Sequence, residues 1–238
     1  MGCLVFNGHD FSRFCSIDAV RNSCVGCEPR SAAMPGRAGS ILLGSAPGVR
    51  KIDVRLRMLH GVCYCNCSLN EAIRTIGGWL AAEGGCELSL GDGATYRDAI
   101  CTSGTPWQRE DDGWACMVTF TCFDPVGYGE KVHHGEPRFY VEGNWHTFPL
   151  IKVRVQDARD AVSVLECVSG RKVSVHGGFA GGEAVSIDCL NRRVEVDGVA
   201  AEDRVGIESD YFYLEPGSAE IAPSGCELIS VEYTEAWM

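Results

Sequence analysis

The sequence lacks three features of membrane-inserted or exported chains: a spanning helix, a secretory signal and an N-myristoylation site. It has no run of about 18 apolar residues, the minimum for a spanning helix. Residues 1–10 carry no basic segment ahead of a long apolar run, so they do not form a secretory signal. Phe6 stands where the N-myristoylation pattern needs serine or threonine. We therefore expect the chain to stay in the cytosol where it is made.

Positive charge is scarce. Lys and Arg number 21 against 32 Asp and Glu, which gives a net charge of −11. Binding to duplex nucleic acid or to an anionic membrane draws its affinity from clustered basic side chains. The composition therefore excludes both as main partners.

Motifs that bind phosphate or calcium are also missing. The glycine pairs do not form a P-loop, and Gly91-Asp-Gly93 lies in a predicted hairpin loop instead of between a strand and a helix. No acidic pattern of the calcium-loop type occurs. Ser45, in Gly44-Ser-Ala-Pro-Gly48, lacks the strand–turn–helix setting of a hydrolase nucleophile and is interpreted as a loop serine.

Candidate catalytic side chains are present but isolated. His133 and His134 are adjacent on a segment with little apolar content, residues 129–137, which we interpret as a linker. No carboxylate pattern frames them, and residues 110–112 have the composition of a solvated acidic turn. Acid–base catalysis needs a positioned partner. We therefore predict no catalytic, cofactor-binding or metal-binding residues, and no enzyme.

Cysteine is abundant, with 14 residues. In the cytosol this count favours free thiols or a metal over disulfides. Zinc could be held by Cys24, Cys27, Cys63 and Cys65. The alternative, which we favour, places residues 62–67 on a strand where Cys63, Cys65 and Cys67 share one buried face. We expect the thiols to fill the core.

The N-terminal half predicts a β domain with one helix. The first 45 residues are rich in turn formers, and residues 34–40 are expected to form an exposed loop or arm. Residues 52–58 alternate apolar and polar side chains, which predicts a half-buried strand. The capping box Ser68-Leu-Asn-Glu71 predicts a helix over about 68–83, stopped by Gly84-Gly85.

The rest of the chain predicts a β-sandwich, because short apolar runs separated by glycine-rich turns follow one another without a helical pattern. The expected strands are residues 150–155, 161–167, 171–175, 184–188, 193–196, 211–214, 219–222 and 227–233. With 238 residues, 45% of them apolar, the chain is long enough for two domains. We place these domains at residues 1–130 and 131–238.

In order and spacing, these features resemble the distal tail protein (Dit) family of siphovirus-type phages, over about residues 6–237. The N-terminal signals are the early Phe6-Asn-Gly8, the loop Gly36-Arg-Ala-Gly-Ser40, the helix with Trp79-Leu80, and the ending Phe120-Thr-Cys-Phe-Asp-Pro125. The C-terminal signals are residues 187–198 and 209–217. Ala38 departs from the family loop, where aspartate is common, and the richness in cysteine is not a family trait.

The resemblance implies a structural virion protein of a phage or prophage. It implies a mainly β fold, with a ring-forming, barrel-like N-terminal domain and a galectin-like C-terminal sandwich. Six copies would form a baseplate ring at the distal end of the tail tube, assembled in the host cytoplasm. Partners would be the tail tube protein, the tail-associated lysin or fibre hub and the tape measure protein, and DNA would pass through the ring without specific binding.

Two other classes of function remain open. One is a carbohydrate-binding sandwich that uses a platform of tryptophans, drawn from Trp107, Trp114, Trp145 and Trp237. The other is the zinc-bound β protein described above, which would unfold with a chelator. A glycan hydrolase would need a carboxylate pair that the sequence does not offer.

Overall fold

The structure, a computed structural model, describes residues 3–62 and 66–238, with the side chains of residues 66 and 67 left aside. It divides into two compact units, one ending at Gly127 and the other spanning Tyr128–Trp237. Strands account for most of each unit, so the predicted mainly β class is confirmed.

The first domain surrounds a core of aromatic and aliphatic side chains that includes Phe6, Phe11 and Phe120. Its sheet has the order β7-β8-β10-β6-β3, and β1, β2 and β9 pair at its margins. The described strands are β1 (Val5–Phe6), β2 (His9–Asp10), β3 (Cys15–Asn22), β4 (Cys27–Ala33), β5 (Ser40–Pro47), β6 (Arg50–Met58), β7 (Cys86–Ser89), β8 (Thr95–Gly104), β9 (Gln108–Glu110) and β10 (Gly113–Cys122).

Strand β6 has the alternation that its sequence predicts. Ile52, Val54 and Leu56 are fully buried, whereas the charged residues that alternate with them are only half-buried: Asp53, Arg55 and Arg57. Since successive side chains on a strand point to opposite faces, one face of β6 meets the core and the other carries charge. The sheet order runs out to β3, so these strands form an open sheet and the predicted barrel-like closure is wrong for the part of the chain described.

Helix α1 (Asn66–Leu80) packs Leu69, Ala72 and Ile76 into the same core, as the helical spacing predicts. It begins two residues earlier than predicted. Ser68 lies inside its first turn and donates its hydroxyl to the carbonyl of Val62 at 3.0 Å. It also ends earlier, at Leu80 instead of residue 83. The amide of Ala82 donates its hydrogen bond to the carbonyl of Leu80 instead of to the residue four positions back, so the helical pattern stops there.

The expected strand over residues 62–67 is wrong at both described ends. Val62 closes a short 3₁₀ turn (His60–Val62), and Cys67 belongs to α1. The alternating cysteines satisfy a period of two, but six residues are too few to distinguish a strand from a helix start. Cys63 and Cys65, on which both the core-stripe and the zinc interpretations relied, lie outside the described residues.

The second domain is a sandwich of two sheets, with orders β18-β17-β16-β13-β20-β11 and β12-β19-β14-β15. Valine, isoleucine and leucine side chains from both sheets fill the space between them. Its strands are β11 (Gly127–His134), β12 (Arg138–Val141), β13 (Leu150–Val155), β14 (Arg159–Glu166), β15 (Lys172–Phe179), β16 (Ala184–Asp188), β17 (Arg193–Val196), β18 (Val199–Ala200), β19 (Gly217–Ser224) and β20 (Cys226–Trp237).

Two sequence interpretations are corrected in this domain. Most of residues 129–137, expected to be a linker, belongs to β11. Residues 211–214, expected to be a strand, form only an isolated bridge between Thr147 and Leu214. The side chains of Phe212 and Leu214 are nevertheless buried. The apolar run therefore indicated core residues correctly, but the strand predicted from it is wrong.

An ion-pair cluster joins three neighbouring strands of the larger sheet. Glu232 on β20 is 9% exposed and accepts hydrogen bonds from Lys131 on β11 at 2.6 Å and from Lys152 on β13 at 2.8 Å. The hydrogen bond from Lys131, followed by that from Lys152, lowers the pKa of Glu232 from its ordinary 4.5 to about 2. This cluster fixes β11, the segment taken for a linker, to the sheet.

The depressed pKa makes the stability of this domain depend on pH. A carboxylate with a lowered pKa stabilises the fold above its unfolded value, and the contribution is lost as pH falls towards the folded value. Glu232→Gln should therefore lower the free energy of unfolding by about 1–2 kcal/mol at pH 7, since both lysines are partly solvated. The deficit should shrink between pH 4.5 and pH 2 in urea titrations. The exposed Glu227→Gln on the same strand serves as the control, and a deficit independent of pH would contradict the assignment.

Candidate assembly interface

Strands β4 and β5 form a two-stranded hairpin that stands apart from the core of the first domain. Every residue of β4 is exposed, and on β5 only Ile41 is partly covered. Within the described chain each of these strands pairs only with the other, so both outer backbone edges are open. Residues 34–39 form its tip, so the predicted exposed arm is confirmed, although the strands on either side of the tip were not foreseen.

The hairpin carries large apolar side chains in solvent. Met34, Leu42 and Leu43 are 52%, 65% and 69% exposed. The register shifts between Arg30 and Ser31, which leaves Leu43 as the additional residue on the opposite strand. A bulge of this kind increases local twist, and an isolated two-stranded hairpin has little stability of its own. Open edges with exposed leucines are typical of a segment that pairs with another chain.

The base of the hairpin is tied to the domain by backbone hydrogen bonds. The amide of Gly48 donates to the carbonyl of Gly26 at 2.8 Å, and the amide of Ser23 donates to the carbonyl of Lys51 at 2.9 Å. Ser23 also accepts at its hydroxyl from the Lys51 amide at 2.9 Å. The hairpin therefore extends from the β3–β6 pair and its direction is set by it.

The solvent face of β3, β6 and β9 carries a network of ion pairs. Asp18 accepts from Arg57 at 2.9 Å and lies 3.1 Å from Nε of Arg55, and Arg55 also donates to Glu110 at 2.6 Å. The hydrogen bond from Arg57 lowers the pKa of Asp18 and that bond in turn raises the pKa of Arg57. Exposed pairs of this type add little stability. The acidic and basic side chains alternate across this face and pair with one another, which leaves the face polar.

The histidines make separate structural contacts, and Ser45 lies on strand β5, so its interpretation as a loop serine is wrong. His134 stacks on Phe139, with ring centroids 4.6 Å apart, and its Nε2 lies 3.1 Å from the hydroxyl of Tyr233. Nδ1 of His133 lies 3.7 Å from Glu232. Ser45 is exposed on β5. The structure thus brings the two histidines into different contacts and does not unite them in one site.

The cysteines divide between core and surface. Of the described ones, Cys15, Cys116, Cys122, Cys189 and Cys226 are buried free thiols. Burial raises the pKa of Cys15, Cys116 and Cys189 to about 12. Cys24, Cys27 and Cys167 are exposed, so the expectation that thiols fill the core holds only in part. No group of three or more histidine, cysteine or acidic residues within 3–62 and 66–238 has the geometry to hold a metal.

The four tryptophans are divided between the two units. Trp107 and Trp114 pack against the core of the first domain, whereas Trp145 and Trp237 belong to the second. Trp145 contacts His146, whose ring packs in turn on Tyr213, with centroids 4.7 Å apart in each case. A sugar platform that gathers all four on the C-terminal sandwich is therefore wrong. No helix of the described residues is long and apolar enough to cross a membrane.

A cavity of about 270 Å³ opens in the second domain, and sequence reasoning missed it. Its walls come from the turn after β14, including Glu166 and Arg171, and from the segment around Tyr213 and Glu215. These residues are some 45 positions apart and carry no common motif. Only the buried state of Glu166, at 3% exposed, distinguishes it from an ordinary surface carboxylate, and a sequence does not reveal that.

Comparison with known proteins identifies relatives for this architecture. Residues 142–237 match the family described as siphovirus-type tail component, C-terminal domain. The crystal structure of the Dit protein of phage SPP1, described as a paradigm of the hub adsorption apparatus in phages that infect Gram-positive bacteria, is similar over 100% of both chains. Its TM-score is 0.79 at 17% identity, a likeness that shows the fold. A chain of the phage p2 baseplate, in its activated conformation with Sr, has a TM-score of 0.45 at 8% identity, covering 99% of this chain and 98% of that one. No curated protein matches the sequence.

Proposed function

We propose, on the premise that this chain belongs through residues 142–237 to the siphovirus-type tail component family, that six copies form a closed ring at the distal end of a phage tail tube. The family and the shared Dit fold make it a structural protein similar to tail hub components. The observation that carries the ring itself is the exposed hairpin β4–β5, a segment with open edges and leucines in solvent.

In this proposal the hairpin of each copy lies against the first domain of the next. A ring needs a heterologous interface, in which one surface of a copy meets a different surface of its neighbour. The hairpin supplies the first surface, with its unpaired backbone and with Leu42 and Leu43. The outer strand β3 and the ion-pair face of Arg55 and Arg57 are candidates for the second, because both are accessible on the same domain.

The ring would join the tube above to the lysin or fibre hub below, with the tape measure protein and then DNA passing through its centre. The net charge of −11 supports passage without retention, since acidic walls repel the phosphate backbone. The protein would act by assembly and would have no catalytic residue. It would be built into the virion tail in the host cytoplasm.

The first test is the mass of the purified chain by size-exclusion chromatography with light scattering, followed by negative-stain imaging. We expect about 150 kDa, six chains of 25.7 kDa, and particles with a central hole. Since some rings close only on a partner, the same measurement is repeated with the tail tube protein. A chain that remains a monomer both alone and with that protein would contradict the ring.

A further inference from the structure

The cavity of the second domain has the composition of a small-ligand site. Most of its wall is apolar, from side chains such as Val168 and Pro216, and a few polar groups converge on it. Those groups include two carboxylates, Glu166 and Glu215, and the guanidinium of Arg171. At about 270 Å³ it is slightly smaller than the roughly 300–1,000 Å³ of drug-sized sites, so it suits a single ring.

Its polar groups are held in place before any ligand arrives. Both carboxylate oxygens of the buried Glu166 accept backbone amides of the following turn, from Val168 at 3.0 Å and Ser169 at 2.6 Å. A carboxylate has about four acceptor positions, so acceptor capacity remains. Because these groups are already ordered, a ligand that binds them causes a smaller loss of conformational entropy.

The aromatic wall is also fixed. The guanidinium of Arg171 lies over the ring of Tyr213, 5.0 Å from its centroid, and Nε of Arg171 is 3.3 Å from Asp210. His146 and Phe148 pack on Tyr213 at centroid distances of 4.7 and 6.1 Å. Arg171 thus has its Nε engaged by Asp210, while its side chain lines the cavity and has further N–H donors beyond that contact.

We infer that this cavity binds one pyranose ring of a saccharide. A cation would be attracted by the two carboxylates but repelled by the guanidinium of Arg171. An anion would be attracted by Arg171 but repelled by Glu166 and Glu215. A sugar carries neighbouring hydroxyls that both donate and accept, together with an apolar C–H face. It therefore matches carboxylates, guanidinium and apolar wall at once.

The test is a titration of ¹⁵N-labelled full-length protein, followed by amide chemical shifts, with D-glucose, D-galactose, N-acetyl-D-glucosamine and L-rhamnose as separate probes. We expect at least one sugar to shift the amides of residues 168–171 and 213–219, with a Kd of order 1–10 mM for so few contacts. Methylammonium and acetate at equal concentration are expected to leave these amides unmoved.

Two variants distinguish this site from weak general binding. Arg171→Met keeps the stem and removes the donors, and Glu215→Gln changes an exposed carboxylate that the turn does not use. Each substitution should raise the Kd for the sugar at least five-fold. Arg154→Met, at an exposed arginine on β13, should change that Kd less than two-fold. If no sugar shifts these amides at about 50 mM, or if both variants bind like the wild type, the inference is wrong. Neither result bears on ring formation, which rests on the first domain.

Discussion

Replacing residues 27–47 by a short glycine–serine linker is expected to convert a ring of about 150 kDa into monomers, with the same urea midpoints as wild-type protein diluted until it is monomeric. Assembly should be lost because the hairpin supplies the open edges and the apolar side chains of one half of the proposed interface. Stability should be kept because no residue of β4 or β5 belongs to the buried core. Light scattering and urea denaturation measure the two quantities separately.

A smaller change isolates the side chains from the backbone. Leu42→Asp with Leu43→Asp places two charges where burial would contribute about 1.5–3 kcal/mol for each leucine, so the ring should dissociate at concentrations where the wild type remains closed. Val199→Asp on β18 of the second domain is the matched control, because Val199 is as exposed as Leu43, at 69%. A ring that survives both the double substitution and the replacement of the hairpin would show that another surface closes it.

The largest loss of stability is expected from Phe120→Ala in the first domain. Phe120 is fully buried near the end of β10, opposite Ile52 of β6, and its ring centroid lies 4.9 Å from that of Phe6. Truncation removes the transfer energy of the ring and leaves a cavity between strands that hydrogen bonds keep from closing, at a cost of about 3–5 kcal/mol. Tryptophan fluorescence in urea reports it, since Trp79, Trp107 and Trp114 pack against this core.

Phe123→Ala is the matched control. Phe123 lies one residue beyond the end of β10 and is 57% exposed. Its truncation should change the free energy of unfolding by no more than about 0.5 kcal/mol. Equal losses for the two variants would mean that the core is not centred on Phe120.

Sequence periodicity was sufficient wherever one face of an element is buried by its own domain. The alternation over residues 52–58 predicts the pleat of β6, and the apolar stripe of α1 predicts which side chains enter the core. In the second domain three strands, residues 150–155, 184–188 and 193–196, end where the turn residues indicate. Burial of alternate side chains leaves a direct record in the sequence, which explains these matches.

Strands that have no buried face, or whose contacts lie far away in sequence, left no such record. Strands β4 and β5 have no buried face, so their sequence is typical of a loop although they pair with each other. Strand β11 has the composition of a linker because an ion pair with Glu232 and a contact with Tyr233, about 100 residues away, hold it in place. The start of α1 likewise lies next to a hydrogen bond from Ser68 to the preceding turn.

The sequence by itself determined the mainly β class, the single helix, the exposed arm and the resemblance to distal tail proteins, because each depends on local pattern or on the order of motifs. The tertiary structure decided that the arm is a hairpin with open edges, that the first domain's sheet stays open, and that Glu166, Arg171 and Tyr213 share one cavity. The physical reason is that pairing, closure and cavities are set by contacts between distant residues. A one-dimensional pattern records which side chains are buried and does not record which other side chains they meet.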